Sequence, residues 1–251
     1  MSASPYPEPF PVIRLDVVGS TNAEASARLA IGAEPPFWIV AGEQMSGRGR
    51  AGRGWVSPKG NLHASLAIAV AGSPAEIATL AFVASLAVHD TVSAALAGQG
   101  IDIRLKWPND VLCDGAKVSG ILIEQRTMRG RADATIIGCG INCASAPDLA
   151  DRKTASLASL GAPTDPNDAF AALDRALRHW LGRWSEAGFA GIRDAWLAHA
   201  IPPGTRLTVR LADESFTAGF DGLDDTGALI ARLDSGARRL VSAGDVFLAG
   251  D

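Results

Sequence analysis

The chain has 251 residues, a length that suits one large domain or one domain with a small companion. It has 23 lysines and arginines against 27 aspartates and glutamates, a formal charge of -4. This balance excludes a nucleic-acid coat or a polybasic membrane binder, because both need clustered positive charge. Hydrophobic residues make up 47% and charged residues 20%, so the chain can bury a substantial core.

Cysteine use and the absence of a leader pattern predict the cellular compartment. The three cysteines cannot all pair with one another, which favours a reducing compartment. The first eleven residues are polar and proline-rich, unlike a signal peptide. The apolar segment 77–96 is interrupted by His89 and Asp90, so it is not expected to span a membrane. We expect a cytoplasmic protein.

Short apolar or alternating runs predict β-strands through the first 141 residues. In the run 101–106 apolar and charged residues alternate, so Lys106 is expected on the polar face of its strand. Asp114-Gly115 indicates a hairpin, and another turn is expected near 129–130. The predicted strands cover residues 12–18, 38–41, 62–70, 101–106, 111–113, 117–118, 121–124 and 134–141.

Three helices are predicted from capping signals and helical spacing. The first follows the strand at 12–18, with Thr21 and Glu24 spaced as a capping box. The second covers 73–98 and starts with a serine, a proline and a capping glutamate. The third covers 165–184, where apolar residues that include two tryptophans recur at helical spacing and are expected in the core.

The C-terminal part has a different character. From about Arg206, short strand-like runs alternate with turns rich in aspartate and glycine, which predicts a small β-barrel. The Pro-Pro-Gly segment 202–204 is the natural boundary. We therefore predict two domains, 1–201 and 202–251.

The segment 47–55 carries the most unusual pattern. Arg48, Arg50 and Arg53 stand among glycines, so the backbone is flexible and the guanidinium groups repel one another. One interpretation is a solvated basic loop. The other is a phosphate clamp that orders when an anion neutralises it, because the arginine fork binds phosphate oxygens bidentately. There is no Walker-type motif, which excludes a P-loop.

Two lysines and an asparagine are further candidates. Lys106 precedes a Trp-Pro-Asn-Asp turn, Lys117 precedes Ser-Gly, and Asn142 ends a glycine-containing strand. Each has a plain alternative as a solvated or turn residue. The four histidines are scattered and none has metal-ligand spacing with the cysteines, so covalent and metal chemistry are poorly supported. An anion-stabilising site suits nucleotidyl or acyl transfer by positioning and electrostatics.

Read together, five segments closely resemble the biotin protein ligase family in order and spacing. The resemblance covers residues 12 to about 160 and extends to the C-terminal part. It implies an α+β fold, with a mixed sheet like that of class II aminoacyl-tRNA synthetases and an SH3-like C-terminal β-barrel. The segments are Ser20-Thr21-Asn22, the Arg/Gly run 47–55, Lys106-Trp-Pro-Asn-Asp110, Lys117-Val-Ser-Gly-Ile-Leu-Ile-Glu124 and Gly138-Cys-Gly-Ile-Asn142.

The resemblance also implies a two-step reaction. The carboxylate of biotin attacks the α-phosphate of Mg-ATP to give biotinyl-5′-AMP and pyrophosphate. A lysine of a biotin carboxyl carrier domain, in acetyl-CoA carboxylase or a related carboxylase, then displaces AMP. Homodimers are common in the family. Only about eleven residues precede the first predicted strand, so we expect no DNA-binding domain and no nucleic-acid or membrane partner.

Residue roles follow from the same resemblance. Lys117, Arg50 and Lys106 would be catalytic, and Asp110 would help to place Mg²⁺. The biotin site would consist of Ser20, Thr21, Asn22, Gln44, Arg48, Gly49, Arg50, Lys117 and Gly120. The ATP site would consist of Arg48, Arg50, Arg53, Trp55, Lys106, Asn109 and Asn142.

Two departures and two alternatives accompany this interpretation. Ala51 stands where many relatives have arginine, and His63 where tyrosine is common. A lipoate ligase or octanoyltransferase-like enzyme would also bind a carboxylate substrate. Its substrate has no ureido ring, so it would not need Ser20-Thr21-Asn22 and Gln44 to hydrogen-bond such a ring. A non-catalytic biotin-binding protein would not need the arginines and lysines.

Overall fold

The computed structural model describes residues 9–70, 72–127 and 133–249. A seven-stranded mixed sheet forms the centre, in the order β1-β2-β3-β7-β6-β5-β4. β1 and β2 are parallel, and each of the other neighbours is antiparallel. The strands are β1 Val12–Val18, β2 Phe37–Gln44, β3 Leu62–Ala69, β4 Ile103–Lys106, β5 Asp110–Cys113, β6 Ala116–Arg126 and β7 Ala134–Ile141.

Five helices accompany the sheet in the described residues; the three predicted helical regions are confirmed with changes in detail, and the helix Phe189–His199 has no counterpart in the prediction. The expected capping box of the first helix is wrong: its N-cap is Ser20, and no side chain caps it. The box at Ser73 and Glu76 is present, but the helix breaks at Thr79. The helices are α1 Thr21–Ala30, α2 Pro74–Ala78, α3 Leu80–Ala95, α4 Pro166–Ala187 and α5 Phe189–His199.

The strands at the end of the sheet carry the lysines. The hairpin between β5 and β6 turns at Asp114 and Gly115, both with positive φ, as predicted. The plain alternative of a solvated Lys106 is wrong, because its side chain is buried. Its position at the end of β4 places it under the C-terminal part of the chain, which the local alternation of residues does not reveal. The turn expected near 129–130 lies outside the described residues.

The C-terminal part is an antiparallel sheet in the order β11-β10-β9-β8-β12. The prediction of a small β-domain is confirmed. A closed barrel is not shown, since no pairing between β11 and β12 is found among the described residues. The strands are β8 Arg206–Arg210, β9 Ser215–Leu223, β10 Leu229–Arg232, β11 Arg238–Val241 and β12 Asp245–Leu248.

Both sheets share one hydrophobic core. Trp196 of α5 is fully buried and packs against Phe82 and Phe220. The indole of Trp107 donates to the carbonyl of Gly227 at 2.9 Å. The C-terminal sheet is thereby fixed against the strands that carry the lysines.

The segment Pro74–Ala95 is long and apolar enough to cross a membrane by composition alone. In the fold, 72% of its most apolar 18-residue stretch is buried, and the segment packs against α4 and the central sheet. This is the behaviour of a core helix, as expected from His89 and Asp90 within it.

Candidate active site

A cavity of about 250 Å³ lies between the central sheet and the C-terminal sheet. The start of α1, the Arg/Gly loop 47–55, the strands β5 to β7 and the start of β12 form its walls. Fourteen of the fifteen predicted site residues line it; Lys106 does not, because it lies behind Asp110. The lining residues from the prediction are Ser20, Thr21, Asn22, Gln44, Arg48, Gly49, Arg50, Arg53, Trp55, Asn109, Asp110, Lys117, Gly120 and Asn142.

A carboxylate between two ammonium groups forms the charged centre of the cavity. Asp110, at the start of β5, accepts from Lys106 Nζ at 2.9 Å and from Lys117 Nζ through its other oxygen. All three residues are buried or nearly so. The hairpin register makes this possible, since Lys106 pairs with Asp110 across β4 and β5, and Asp110 pairs with Gly120 of β6.

The trio carries a net positive charge in a desolvated place. Burial alone would raise the pKa of Asp110, but Lys106 and Lys117 outweigh it and hold that pKa well below its usual range. Burial lowers the pKa of Lys117, while Asp110 raises it and Lys106 and Arg152 lower it further. Such a centre stabilises negative charge that develops on a bound group.

A buried polar cluster lies at the start of α1. Gln44 Oε1 accepts from the backbone N–H of Thr21 at 2.8 Å and from its hydroxyl at 3.0 Å. Gln44 Nε2 donates to Ser57 Oγ at 2.8 Å, and that hydroxyl donates to the carbonyl of Trp55. The residues predicted to read a ureido ring are therefore tied to the end of the Arg/Gly loop.

Glycines of β6 and β7 provide the floor of the cavity. A Cβ at Gly140 would lie 2.4 Å from Trp55 Nε1, and one at Gly120 would lie 3.0 Å from the same indole. A Cβ at Gly138 would lie 2.2 Å from Asn22 Oδ1. The glycines are required because the Trp55 ring and the Asn22 amide rest directly on the backbone.

The Arg/Gly loop contacts the start of β12. Arg53 forms a bidentate ion pair with Asp245, at 2.7 and 3.0 Å, and Arg50 donates to the carbonyl of Gly244 at 3.2 Å. A 3-10 turn over Arg50–Gly52 places Ala51 at a φ of 52°, in the left-handed region. Burial lowers the pKa of Arg50, while Asp245 raises it.

Asn109 and Asn142 both line the cavity, and each side-chain amide donates to a backbone carbonyl. Asn109 Nδ2 donates to the carbonyl of Ile121 at 2.5 Å. Asn142 Nδ2 donates to the carbonyl of Ala155 at 3.1 Å, while its buried Oδ1 has no partner among the described residues. A buried acceptor without a donor is costly, so this oxygen is placed to receive a hydrogen bond from a ligand.

The resemblance also implies that Gly60 to Leu62 form a wall of the biotin site, but they do not line the cavity. Asn61 Oδ1 instead accepts from the backbone N–H groups of Ala144 and Ser145. His63 is buried outside the cavity lining, at 3.1 Å from the carbonyl of Pro58, and burial lowers its pKa.

Several lining residues are absent from the predicted site. Arg152 lies against the ring of Phe247 and pairs with Asp151. These residues carry no local motif, and Phe247 comes from the other sheet, so only the tertiary fold reveals them. Gly138 and Cys139 belong to a recognised segment but had no assigned role. The additional residues include Gly138, Cys139, Asp151, Arg152, Thr154, Asp245, Val246 and Phe247.

Comparisons with known proteins agree with this geometry. Residues 15–142 match the Biotin/lipoate A/B protein ligase family, and residues 204–249 match the Biotin protein ligase C terminal domain. The biotin--[acetyl-CoA-carboxylase] ligase of Paracoccus denitrificans is 39% identical over 92% of this chain and 98% of its own length. The enzyme of the same name from Mycobacterium tuberculosis is 36% identical, over 93% and 88%.

Solved structures show the same fold. The Aquifex aeolicus biotin protein ligase, in complex with biotin and ATP, superposes with a TM-score of 0.80 at 24% identity, over 95% of this chain and 99% of that one. The Leishmania major biotin protein ligase, in complex with biotinyl-5-AMP, gives 0.65 at 26% identity, over 94% and 100%. The α+β fold expected from the sequence is confirmed.

Proposed function

The chain belongs to the biotin protein ligase family, and we propose that it activates biotin with ATP as biotinyl-5′-AMP and transfers biotin to a lysine of a carboxyl carrier domain. One observation carries this proposal. Lys117 and Asp110, which is also paired with Lys106, line a single cavity together with the polar cluster of α1 and the arginines of the loop.

The cavity has separate regions for the two substrates. The neutral ureido ring would meet Ser20, Thr21 and Asn22, whose polar atoms are buried and ordered. The glycine floor would flank the apolar part of biotin, and the Trp55 ring, which rests on that floor, would contact the adenosine part of ATP. The free Oδ1 of Asn142 would accept from the adenine amino group.

In the first step, a carboxylate oxygen of biotin bonds to the α-phosphorus, and the bond from that phosphorus to the bridging β-oxygen breaks. Lys117 would hold the carboxylate in line with the phosphorus, which converts a bimolecular collision into a positioned attack. Arg50, Arg53 and Lys106 would supply the positive charge that stabilises the crowded phosphate oxygens and the departing pyrophosphate.

In the second step, the amine of the carrier lysine bonds to the acyl carbon, the bond from that carbon to the phosphate oxygen breaks, and AMP leaves. The amine loses a proton as the amide forms. The arginine loop covers the cavity on the side of the C-terminal sheet, so closure of this loop would keep water from the reactive anhydride.

Mg²⁺ is expected to accompany ATP, but the residues around Asp110 do not fit direct coordination of the metal. Both carboxylate oxygens already accept from ammonium groups. No group of three or more histidine, cysteine or acidic side chains in the described parts of the chain could hold an ion. We therefore propose that Asp110 is the counter-ion that orients the two lysines, and that phosphate oxygens hold Mg²⁺.

We also propose the domain boundaries, the acceptor protein and the cellular compartment. Residues 1–201 would form the catalytic domain and 202–251 the C-terminal domain. The carrier domain of acetyl-CoA carboxylase or a related carboxylase would be the acceptor, in the cytoplasm, and a homodimer, which is common in the family, is the assembly to test.

Pyrophosphate release tests the proposed function. Purified protein is given Mg-ATP with biotin or with lipoate, and then a biotin carboxyl carrier domain is added. Release that depends on biotin, followed by labelling of the carrier, is the expected result. Release that depends on lipoate would instead indicate a lipoate ligase or octanoyltransferase-like enzyme. No release with either substrate would indicate a non-catalytic binding protein.

A further inference from the structure

Glu124, on β6, lies beside the polar cluster of α1 although no role had been assigned to it. Its Oε2 accepts from Asn22 Nδ2 at 2.7 Å, and its Oε1 lies 3.8 Å from Arg48 Nη2. It thus contacts one residue from the proposed ureido site and one from the arginine loop. Its side chain is about one third exposed, at 34%.

The hydrogen-bond pattern shows what Glu124 does to Asn22. The hydroxyl of Ser65, which is fully buried, lies 2.6 Å from Asn22 Oδ1 and 2.7 Å from Thr21 Oγ1. Because the Thr21 proton goes to Gln44, the single proton of Ser65 faces two acceptors. The cluster itself would be better satisfied if the Asn22 amide were reversed and donated to Ser65.

Glu124 prevents that reversal. An ionised carboxylate only accepts, so a reversed Asn22 would turn its carbonyl oxygen towards a negative charge. With Glu124 in place, the Asn22 amino group points at the carboxylate and its carbonyl oxygen points at Ser65. The backbone offers no substitute of equal quality, since the contact from Asn22 Nδ2 to the carbonyl of Leu122 is 3.5 Å.

We propose that Glu124 is a positioning residue for the ring of biotin: it fixes the orientation of the Asn22 amide and so sets the hydrogen-bonding polarity of the ring site. Glu124 acts through Asn22, and its role rests on the proposed function. Arg48 belongs to the proposed ATP site too, but its contact with Glu124 is 3.8 Å long against 2.7 Å for Asn22, so loss of Glu124 should affect biotin more than ATP.

The test is the variant Glu124→Gln, which keeps the volume but offers both a donor and an acceptor to Asn22. Biotin-dependent ATP–pyrophosphate exchange gives the KM for each substrate. We expect the KM for biotin to rise about tenfold, the effect of one lost hydrogen bond, and the KM for ATP to stay within about twofold. The thermal midpoint should stay within a few degrees of that of the wild type.

Glu186→Gln is the matched control, because it makes the same charge change at an exposed position of α4; its KM values should equal those of the wild type. A biotin KM of Glu124→Gln within twofold of wild type would overturn the positioning role. So would a parallel rise of both KM values with a lower midpoint, since that indicates general damage. If the wild type itself shows no biotin-dependent exchange, the proposed function fails, and the role of Glu124 fails with it.

Discussion

The positively charged ammonium groups of Lys106 and Lys117 both contact the carboxylate of Asp110, so the arrangement of the two lysines depends on this one residue. Both ammonium groups contact its oxygens in a region where all three side chains are at most 15% exposed. Without the carboxylate the lysines would repel each other in a poorly solvated place. Asp110 therefore serves both the stability of the fold and the geometry of the anion site.

The substitution Asp110→Asn should lower the free energy of unfolding by about 3–5 kcal/mol, because removing one partner leaves buried charges uncompensated. Exchange activity should be lost as well, since Lys117 loses its anchor. Urea denaturation and biotin-dependent exchange measure the two effects. Asp213→Asn, an exposed change in the C-terminal part, is the control. A variant of normal stability would show that the lysines do not need this counter-ion.

The same carboxylate predicts a dependence of stability on pH. Its pKa in the fold lies below the unfolded value of about 3.9, so its stabilising effect is complete above that value and is lost as the pH falls through the lower folded pKa. The difference in unfolding free energy between wild type and Asp110→Asn should narrow as the pH falls below about 4, because the carboxylate of the unfolded chain binds its proton first. A difference that stays the same from about pH 6 down to about pH 2 would contradict this assignment.

Arg50 joins the loop to the C-terminal sheet through the carbonyl of Gly244, next to the ion pair of Arg53 with Asp245. Arg50→Gly should loosen the cover over the cavity, so that biotinyl-AMP escapes and labels lysines of unrelated proteins. Mass spectrometry of a mixture of carrier domain and serum albumin measures the labelled lysines. Wild type should label only the carrier. Labelling by the variant that stays confined to the carrier would show that the loop is not a cover.

At the scale of elements, β7 determines how closely α1 can approach the sheet. Gly138 is buried, and the Asn22 amide occupies the space where a side chain would start. The clash involves an amide fixed by Ser65 and Glu124, so it cannot move away at low cost. The ring site therefore depends on a strand position as much as on the helix that carries its polar groups.

The substitution Gly138→Ala should raise the KM for biotin by tenfold or more, because the added methyl group displaces Asn22. Binding of ATP, measured by calorimetry, should change much less. Gly191→Ala on α5 is the control, since its added Cβ would have its nearest contacts at 3.9 Å. If Gly138→Ala binds biotin normally, the position of Asn22 is not required for recognition.

The sequence predicted the elements well and the connections between them less well. Turn and capping signals such as Asp114-Gly115 and Ser73 with Glu76 are local, and the structure contains both features. The burial of Lys106 could not be predicted, because it depends on Val246 about 140 residues away, whose carbonyl accepts from Lys106 Nζ at 2.6 Å. A barrel was expected from strand spacing, which does not specify how the outer strands of a sheet pair.

At the scale of the whole molecule, the C-terminal sheet forms one wall of the anion site. Gly244, Asp245 and Val246 hold Arg50, Arg53 and Lys106 in turn. The ring of Phe247 faces Lys106, Arg152 and Arg210, at 6.0, 5.2 and 4.2 Å from its centroid. The three side chains proposed to bind phosphates thus have partners in the C-terminal part of the chain. One of these partners, Asp245, is negatively charged.

Asp245 occupies the arginine fork that a phosphate would use, so it should compete with ATP. Asp245→Asn should lower the KM for ATP about two- to fivefold, the range for an exposed ion pair of about 0.4–1 kcal/mol, and leave the KM for biotin unchanged. Asp234→Asn is the control, because it releases Arg206 from an ion pair in the same sheet. If Asp245 competes with ATP for Arg53, removing its charge can only strengthen nucleotide binding. A higher KM for ATP in Asp245→Asn would therefore show that Asp245 instead positions Arg53 for the phosphates.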